Sequence, residues 1–149
     1  MKAFIEKLKQ KGLSVAVCES LTGGMLCAQL CGIPGASRVV KGGFITYTDE
    51  MKISLASVPE EVIKNHTAVS EETAYYMALG AREKCGADIG LSLTGYAGPD
   101  GDEVGKVCAG ICVNGACRTF TYRFEGTRQE IREKSVEKIV KDAYILLEK

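Results

Sequence analysis

The sequence predicts an α/β fold: helices on both faces of a mixed, mostly parallel sheet of about five strands, completed by a C-terminal hairpin and helix. Three observations carry that expectation. Apolar, β-rich runs at Leu13–Cys18, Val39–Tyr47 and Ile89–Leu93 alternate with helical stripes, the pattern of strand–helix–strand units. Asn114-Gly115 separates two further β-rich runs, Val107–Val113 and Cys117–Phe124, and is the strongest hairpin signal in the chain. Thr127-Arg128-Gln129-Glu130 reads as a capping box that opens a long amphipathic helix.

Each element has a local reason. Phe4, Ile5 and Leu8 share a helical stripe, and Gly12 follows as its stop. Leu13–Cys18 reads as a buried strand, and Leu21–Cys31 as a helix packing Met25, Ala28, Leu26 and Leu30. Ile33-Pro34-Gly35-Ala36-Ser37 is loop chemistry. Gly42-Gly43 inside Val39–Tyr47 predicts a bulge or a close backbone approach. Two short helices are expected at Asp49–Leu55 and Pro59–Lys64, with Pro59 at a first helical position. Ser70 is the N-cap of a helix whose stripe is Ala74, Met77, Ala78, Ala81 and Cys85, ended by Gly86. Gly95–Gly101 must be a loop. In the last helix Val136, Ile139, Val140, Ala143, Leu146 and Leu147 recur at helical spacing.

The first three strands should run parallel through right-handed crossovers. If their order is 2-1-3, the connection reverses between the first and third, and ligands bind outside the carboxyl ends of strands at such a point. Ser20-Leu21-Thr22-Gly23-Gly24 and Thr94-Gly95-Tyr96-Ala97-Gly98 leave those two strands, and Thr46-Tyr47-Thr48-Asp49 reaches the same rim from the second. Three polar or glycine-rich segments are thus expected to converge.

Composition narrows the function. The 149 residues, 46% hydrophobic, suit one domain over 1–149 with an ordinary core. Nineteen basic residues balance nineteen acidic ones, so nothing points to nucleic acid and a small molecule is the expected partner. Met1–Lys11 is charged throughout and the apolar run after it is too short for a signal or a membrane span. A cytoplasmic chain starting near Met1 and making no membrane contact is therefore expected. Seven cysteines, an odd count, suit reduced thiols better than a disulfide framework. Cys27, Cys31, Cys108 and Cys112 lack the usual zinc spacing, so neither metal nor cofactor is expected.

Ser20 ends the first strand beside a predicted helix start, where free N–H groups favour a developing oxyanion; it is the candidate nucleophile. Its base cannot be read from type alone. His66, the one histidine, lies in the polar stretch Lys64-Asn65-His66-Thr67 and reads as solvated or capping. Lys52 follows Thr48-Asp49 by one helical turn and can reach the rim. An unperturbed lysine, with a pKa of about 10.4, needs partial burial to act near neutrality. Read alone, Lys52 fits a surface lysine on an exposed helix face better than a base, Tyr47 fits a packed strand end, and Arg128 a solvated first turn. In the catalytic reading Tyr47 relays a proton, Arg128 clamps a phosphate or carboxylate, and Thr22-Gly23-Gly24 cradles an anion. Strand alternation points Glu19 to the opposite face from Ser20, and no role is assigned to it.

Four blocks, in order and spacing, resemble the CinA C-terminal domain family: Glu19-Ser20-Leu21-Thr22-Gly23-Gly24, Gly42 through Lys52, Ala68-Val69-Ser70-Glu71, and Thr94-Gly95-Tyr96-Ala97-Gly98-Pro99. The resemblance runs from about Leu13 to the C-terminus. It implies a three-layer α/β/α fold, and for stand-alone members, deamidation of nicotinamide mononucleotide to nicotinate mononucleotide and ammonia by a serine–lysine hydrolase. Carried over by motif, the nucleophile falls on Ser20 and the base on Lys52, with Tyr47 in the site. Substrate contacts are expected from Thr22, Gly23, Gly24, Thr46, Asp49, Thr94, Gly95, Ala97, Gly98 and Arg128, and a homodimer is compatible with the family. Many members have Cys where Leu21 stands and Asn where Asp49 stands, and their loop after Pro99 is longer. The alternatives are a nucleotide-binding regulatory domain without turnover, or a hydrolase of another small amide.

Overall fold

The elements of the computed structural model, which describes residues 1–149, follow the predicted order. They are α1 (Lys2–Lys11), β1 (Val15–Glu19), α2 (Met25–Cys31), a 3-10 turn (Ala36–Arg38), β2 (Val40–Ile45), α3 (Asp49–Ala56), α4 (Glu60–His66), α5 (Glu71–Cys85), β3 (Ile89–Gly95), β4 (Lys106–Val113), β5 (Ala116–Arg123) and α6 (Arg128–Glu148). One sheet has the order β2-β1-β3-β4-β5. β1 pairs parallel with β2 and β3, whereas β4 is antiparallel to both β3 and β5, so β4 alone runs against the other four. The reversal of connection falls between β1 and β3, as expected.

Strand alternation builds two cores. Val15, Val17, Leu91 and Leu93 face α1, α2 and α6, meeting Phe4, Leu26, Ile131 and Ile139 in the larger core. Ala16 and Cys18 face the other way, onto Ala56, Met77 and Ala81 of α3 and α5. The sheet is therefore the middle of three layers, and β1 is buried at all five positions because both faces are covered. The caps are as read: Ser70 accepts from the Thr73 N–H, and Thr127 and Glu130 make both halves of a capping box.

The Gly42-Gly43 pair has two causes. The β1–β2 register steps from Val15↔Val40 to Ala16↔Gly42, leaving Lys41 as the extra residue of a bulge. At Gly43 a Cβ would collide with the Val17 carbonyl oxygen, so no larger residue fits there. The hairpin turn holds Asn114 at φ 47 and Gly115 at φ 89, the left-handed pair that a two-residue connection needs.

Several expectations are corrected. The helix read from Leu21 starts at Met25, because Gly23 and Gly24 take φ 56 and 104 and Leu21–Gly24 form a turn. Leu26 and Leu30 are its buried residues; Met25 is half-buried and Ala28 exposed. Pro59 caps α4 from outside its first turn. β3 is longer than read, since Thr94 and Gly95 pair with Cys108 and Val107. The thiols are not all free: Cys112 and Cys117, directly opposite on the hairpin, form a disulfide. That bond also separates the four cysteines weighed as a zinc set.

Candidate active site

β1 delivers Ser20 to the rim, with its neighbours fixed on both sides. The Ser20 N–H donates to the Leu93 carbonyl at 2.9 Å, and the Thr46 N–H donates to the Glu19 carbonyl at 2.7 Å. The chain then turns: the Gly23 N–H donates to Ser20 O at 3.0 Å and the Met25 N–H to Thr22 O at 3.0 Å. The N–H groups of Leu21 and Thr22 have no partner within the chain. The Thr22 hydroxyl is the one buried side-chain nitrogen or oxygen without a hydrogen bond.

Lys52 arrives from the other crossover. The Thr48 hydroxyl caps α3 by accepting the Met51 N–H, and one turn in, Lys52 and Ala56 form the buried face of the helix. Lys52 is only 2% exposed. Its Nζ lies 3.0 Å from Ser20 Oγ and 2.9 Å from the Thr46 carbonyl oxygen. Burial pulls its pKa below the ordinary 10.5, against the opposing pull of the Asp49 carboxylate. Cys18 is itself pushed up to about 11, chiefly by burial, and so stands beside the amine as a neutral thiol. A neutral amine has two N–H donors and one lone pair. With one N–H on Thr46 O, its lone pair can take the Ser20 hydroxyl proton.

In front of Ser20 lies a cleft of about 580 Å³, lined also by Leu21, Tyr47, Gly95–Asp100 and Arg128. Its size falls within the roughly 300–1,000 Å³ of small-molecule sites. Arg128 bridges its two rims, donating to the Tyr47 hydroxyl at 3.0 Å and to the Gly98 carbonyl. Lys52 reaches Ser20 directly, with no hydroxyl interposed; Tyr47 engages Arg128 instead. His66 lies outside this cleft, its Nδ1 3.8 Å from Glu72.

The remaining predicted residues divide. Gly95, Ala97, Gly98 and Arg128 line the cleft. Thr46 is buried and serves through its carbonyl, while its hydroxyl lies 3.4 Å from the Cys18 sulfur. Thr94 is buried, donating to the Ala68 carbonyl at 2.7 Å. Gly23 and Gly24 form the turn behind Ser20, and Asp49 is exposed in the first turn of α3.

Two residues gain roles that the sequence did not assign. Glu19 is 1% exposed, and its carboxylate accepts the N–H groups of Leu26 and Cys27, both at 2.9 Å. It fills the N-terminus of α2, so the donors left for an anion belong to the turn and not to the helix. Arg132 reaches the same turn from α6, donating Nε to Leu21 O at 2.9 Å and a terminal nitrogen to Thr22 O at 3.1 Å. Its spacing of one turn from Arg128 is the only sequence signal that marks it.

A family model, the CinA C-terminal domain, matches residues 1–146. The chain belongs to this family. Solved CinA superfamily structures share the fold. One from Klebsiella pneumoniae has a TM-score of 0.95 at 30% identity, covering 98% of this chain and 94% of that one. A competence/damage inducible protein from Agrobacterium tumefaciens has a TM-score of 0.93 at 34% identity, covering 98% and 92%. A CinA-like protein of Myxococcus xanthus is 43% identical over 133 residues, which are 86% of this chain and 32% of the relative. This CinA-family chain thus spans about a third of the length of the curated relatives it matches. No helix is long and apolar enough to cross a membrane.

Proposed function

We propose that this CinA-family chain is an amidohydrolase that converts nicotinamide mononucleotide to nicotinate mononucleotide and ammonia with a Ser20–Lys52 dyad. The observation that carries the reading is the buried Lys52 amine, 3.0 Å from Ser20 Oγ and tethered by Thr46 O. Neutral Lys52 takes the hydroxyl proton as Ser20 Oγ bonds to the carboxamide carbon. The N–H groups of Leu21 and Thr22 receive the oxyanion, an effect worth about 3 kcal/mol per donor. The carbon–nitrogen bond then breaks, and the Lys52 ammonium protonates the leaving amine as ammonia. Water, deprotonated by the same lysine, hydrolyses the acyl-serine and frees the acid.

The rest of the cleft suits a nucleotide. Arg128 offers a charged fork to a phosphate, in place of its contact with the Gly98 carbonyl. The Tyr47 hydroxyl accepts from Arg128 and keeps its own proton for a ligand. The substrate specificity rests on the family resemblance and on this cleft chemistry. Ammonia release from nicotinamide mononucleotide, measured for the parent and for Ser20→Ala, tests the reading. Turnover by the parent with loss in the variant is expected; full activity of Ser20→Ala removes Ser20 from the mechanism, and binding without turnover by the parent makes the chain a nucleotide-binding domain.

A further inference from the structure

We infer that Arg132 is a positioning residue that sets the oxyanion-binding face of the turn after Ser20. The inference rests on the hydrolase reading above and extends it to a residue outside the cleft wall. The turn has four peptide groups between Ser20 and Gly24, and they fall into two sets. The Ser20 carbonyl is taken by the Gly23 N–H, and the Thr22 carbonyl by the Met25 N–H. The guanidinium of Arg132 then takes Leu21 O at 2.9 Å and shares Thr22 O at 3.1 Å. Every peptide bond of this segment is trans, since the one cis bond in the chain is Gly98-Pro99. In a trans peptide the N–H points away from the carbonyl of the same unit. Fixing Leu21 O against Arg132 therefore aims the Thr22 N–H away from α6, and fixing Ser20 O on the Gly23 N–H aims the Leu21 N–H away from Gly23. Those two N–H groups lack a partner, as does that of Gly24.

The clamp is itself held. The second terminal nitrogen of Arg132 donates to Gln129 Oε1 at 2.7 Å, one turn back on α6. Glu19 closes the other route by occupying the first N–H groups of α2. Without Arg132, no other side chain bonds the Leu21 carbonyl, and a glycine-bearing turn is free to rotate that peptide. An oxyanion site needs its donors fixed before the charge develops, so the consequence is a slower chemical step and not weaker substrate binding.

The experiment compares the parent with Arg132→Gln and Arg132→Lys in two reactions. One is ammonia release from nicotinamide mononucleotide, resolved into kcat and KM. The other is phosphonylation of Ser20 by a fluorophosphonate, read by mass: the Ser20 Oγ–P bond forms, the P–F bond breaks, fluoride leaves and Lys52 takes the proton. Arg132→Gln is expected to lose about 10- to 100-fold in kcat and in phosphonylation rate, with KM within about twofold and an unchanged unfolding midpoint. Arg132→Lys, which keeps one charged donor, recovers part of the loss. If Arg132→Gln does not fold, Arg132→Lys decides, because one ammonium cannot reproduce the two-point hold of the guanidinium on Leu21 O and Thr22 O; a fall in kcat in the folded variant supports the inference and no fall overturns it. Parent-like rates in Arg132→Gln, or a loss confined to KM, overturn the inference while the hydrolase reading stands. A parent that releases no ammonia, but whose phosphonylation depends on Arg132, overturns the substrate and keeps the positioning role. A parent inert in both reactions removes both.

Discussion

Lys52→Met tests the central claim in two independent ways. Methionine keeps an unbranched apolar stem of similar length and deletes the amine. If Lys52 is the base, kcat for ammonia release falls about 10²- to 10⁴-fold, equivalent to about 3–5.5 kcal/mol. Stability provides the second test. The substitution loses two hydrogen bonds, to Ser20 Oγ and Thr46 O, each worth about 1 kcal/mol net. It also removes a titratable amine from a buried position. The folded pKa of Lys52 lies below 10.5 because of burial, while the unfolded chain titrates at its ordinary value. Between those two values the unfolded state binds more protons, so parent stability rises with pH there, by at most about 1.4 kcal/mol per pH unit. Below the lowered folded pKa the destabilisation is at its full size. Methionine has no such dependence. Urea unfolding of both proteins from pH 7 to 10 should therefore show the parent gaining on Lys52→Met as pH rises. A constant difference across that range means that the amine titrates normally in the fold, and activity within tenfold of the parent removes it as the base.

Other outcomes follow from the same contacts. Glu19→Gln leaves one acceptor oxygen for two N–H groups of α2 and should cost about 1–3 kcal/mol in urea unfolding; an unchanged midpoint refutes the capping role. Gly43→Ala drives a methyl into the Val17 carbonyl and should destabilise the β1–β2 edge by about 3 kcal/mol or more, read by thermal unfolding. Reducing Cys112–Cys117, a sequence separation of 5, should cost about 2 kcal/mol of stability. Ammonia release should be unaffected, since Cys112 pairs with Gly90 at the start of β3, opposite the end that meets Ser20; lost activity in the folded reduced protein would couple the two ends.

What the sequence showed of this arrangement was whatever local chemistry determines. Stripes, caps and the Asn-Gly turn each specify their own element, and two parallel crossovers followed by a hairpin leave few topologies. The convergence of Ser20, Tyr47 and Gly95–Gly98 followed from strand order. Lys52 was ambiguous because helical periodicity says which residues share a face, but not whether that face meets solvent; Lys52 shares its face with Ala56, and α5 covers it. Glu19 escaped because alternation holds only while the strand continues, and the turn at Leu21–Gly24 brings α2 back over its side chain. Arg132 escaped because its partners are backbone carbonyls about 110 positions away, which carry no sequence mark. The disulfide was obscured by counting: an odd total says nothing about two cysteines that the hairpin places opposite each other.

The amine at the centre of this site is set by opposing effects, and one exposed residue allows them to be separated. Burial lowers the pKa of Lys52 and is the largest effect, while Asp49, one turn earlier on α3, pulls it back up. The net direction is downward, so desolvation exceeds the carboxylate's attraction across a solvent-screened gap. Asn at this position keeps the side-chain shape and removes the charge. Asp49→Asn in this chain should therefore leave the Ser20–Lys52 contact intact and lower the Lys52 pKa further. The rising limb of kcat/KM against pH, which reports the free enzyme's base, should move to lower pH, and activity at neutral pH should increase. Because Asp49 is exposed, the shift should be largest at low ionic strength and shrink as salt screens the pair. A limb that stays in place at low salt excludes Asp49 from setting the base, and one that moves to higher pH reverses the assigned sign. A limb that moves equally at all salt concentrations means that the Asp49→Asn change has altered the packing of α3 rather than the charge around Lys52.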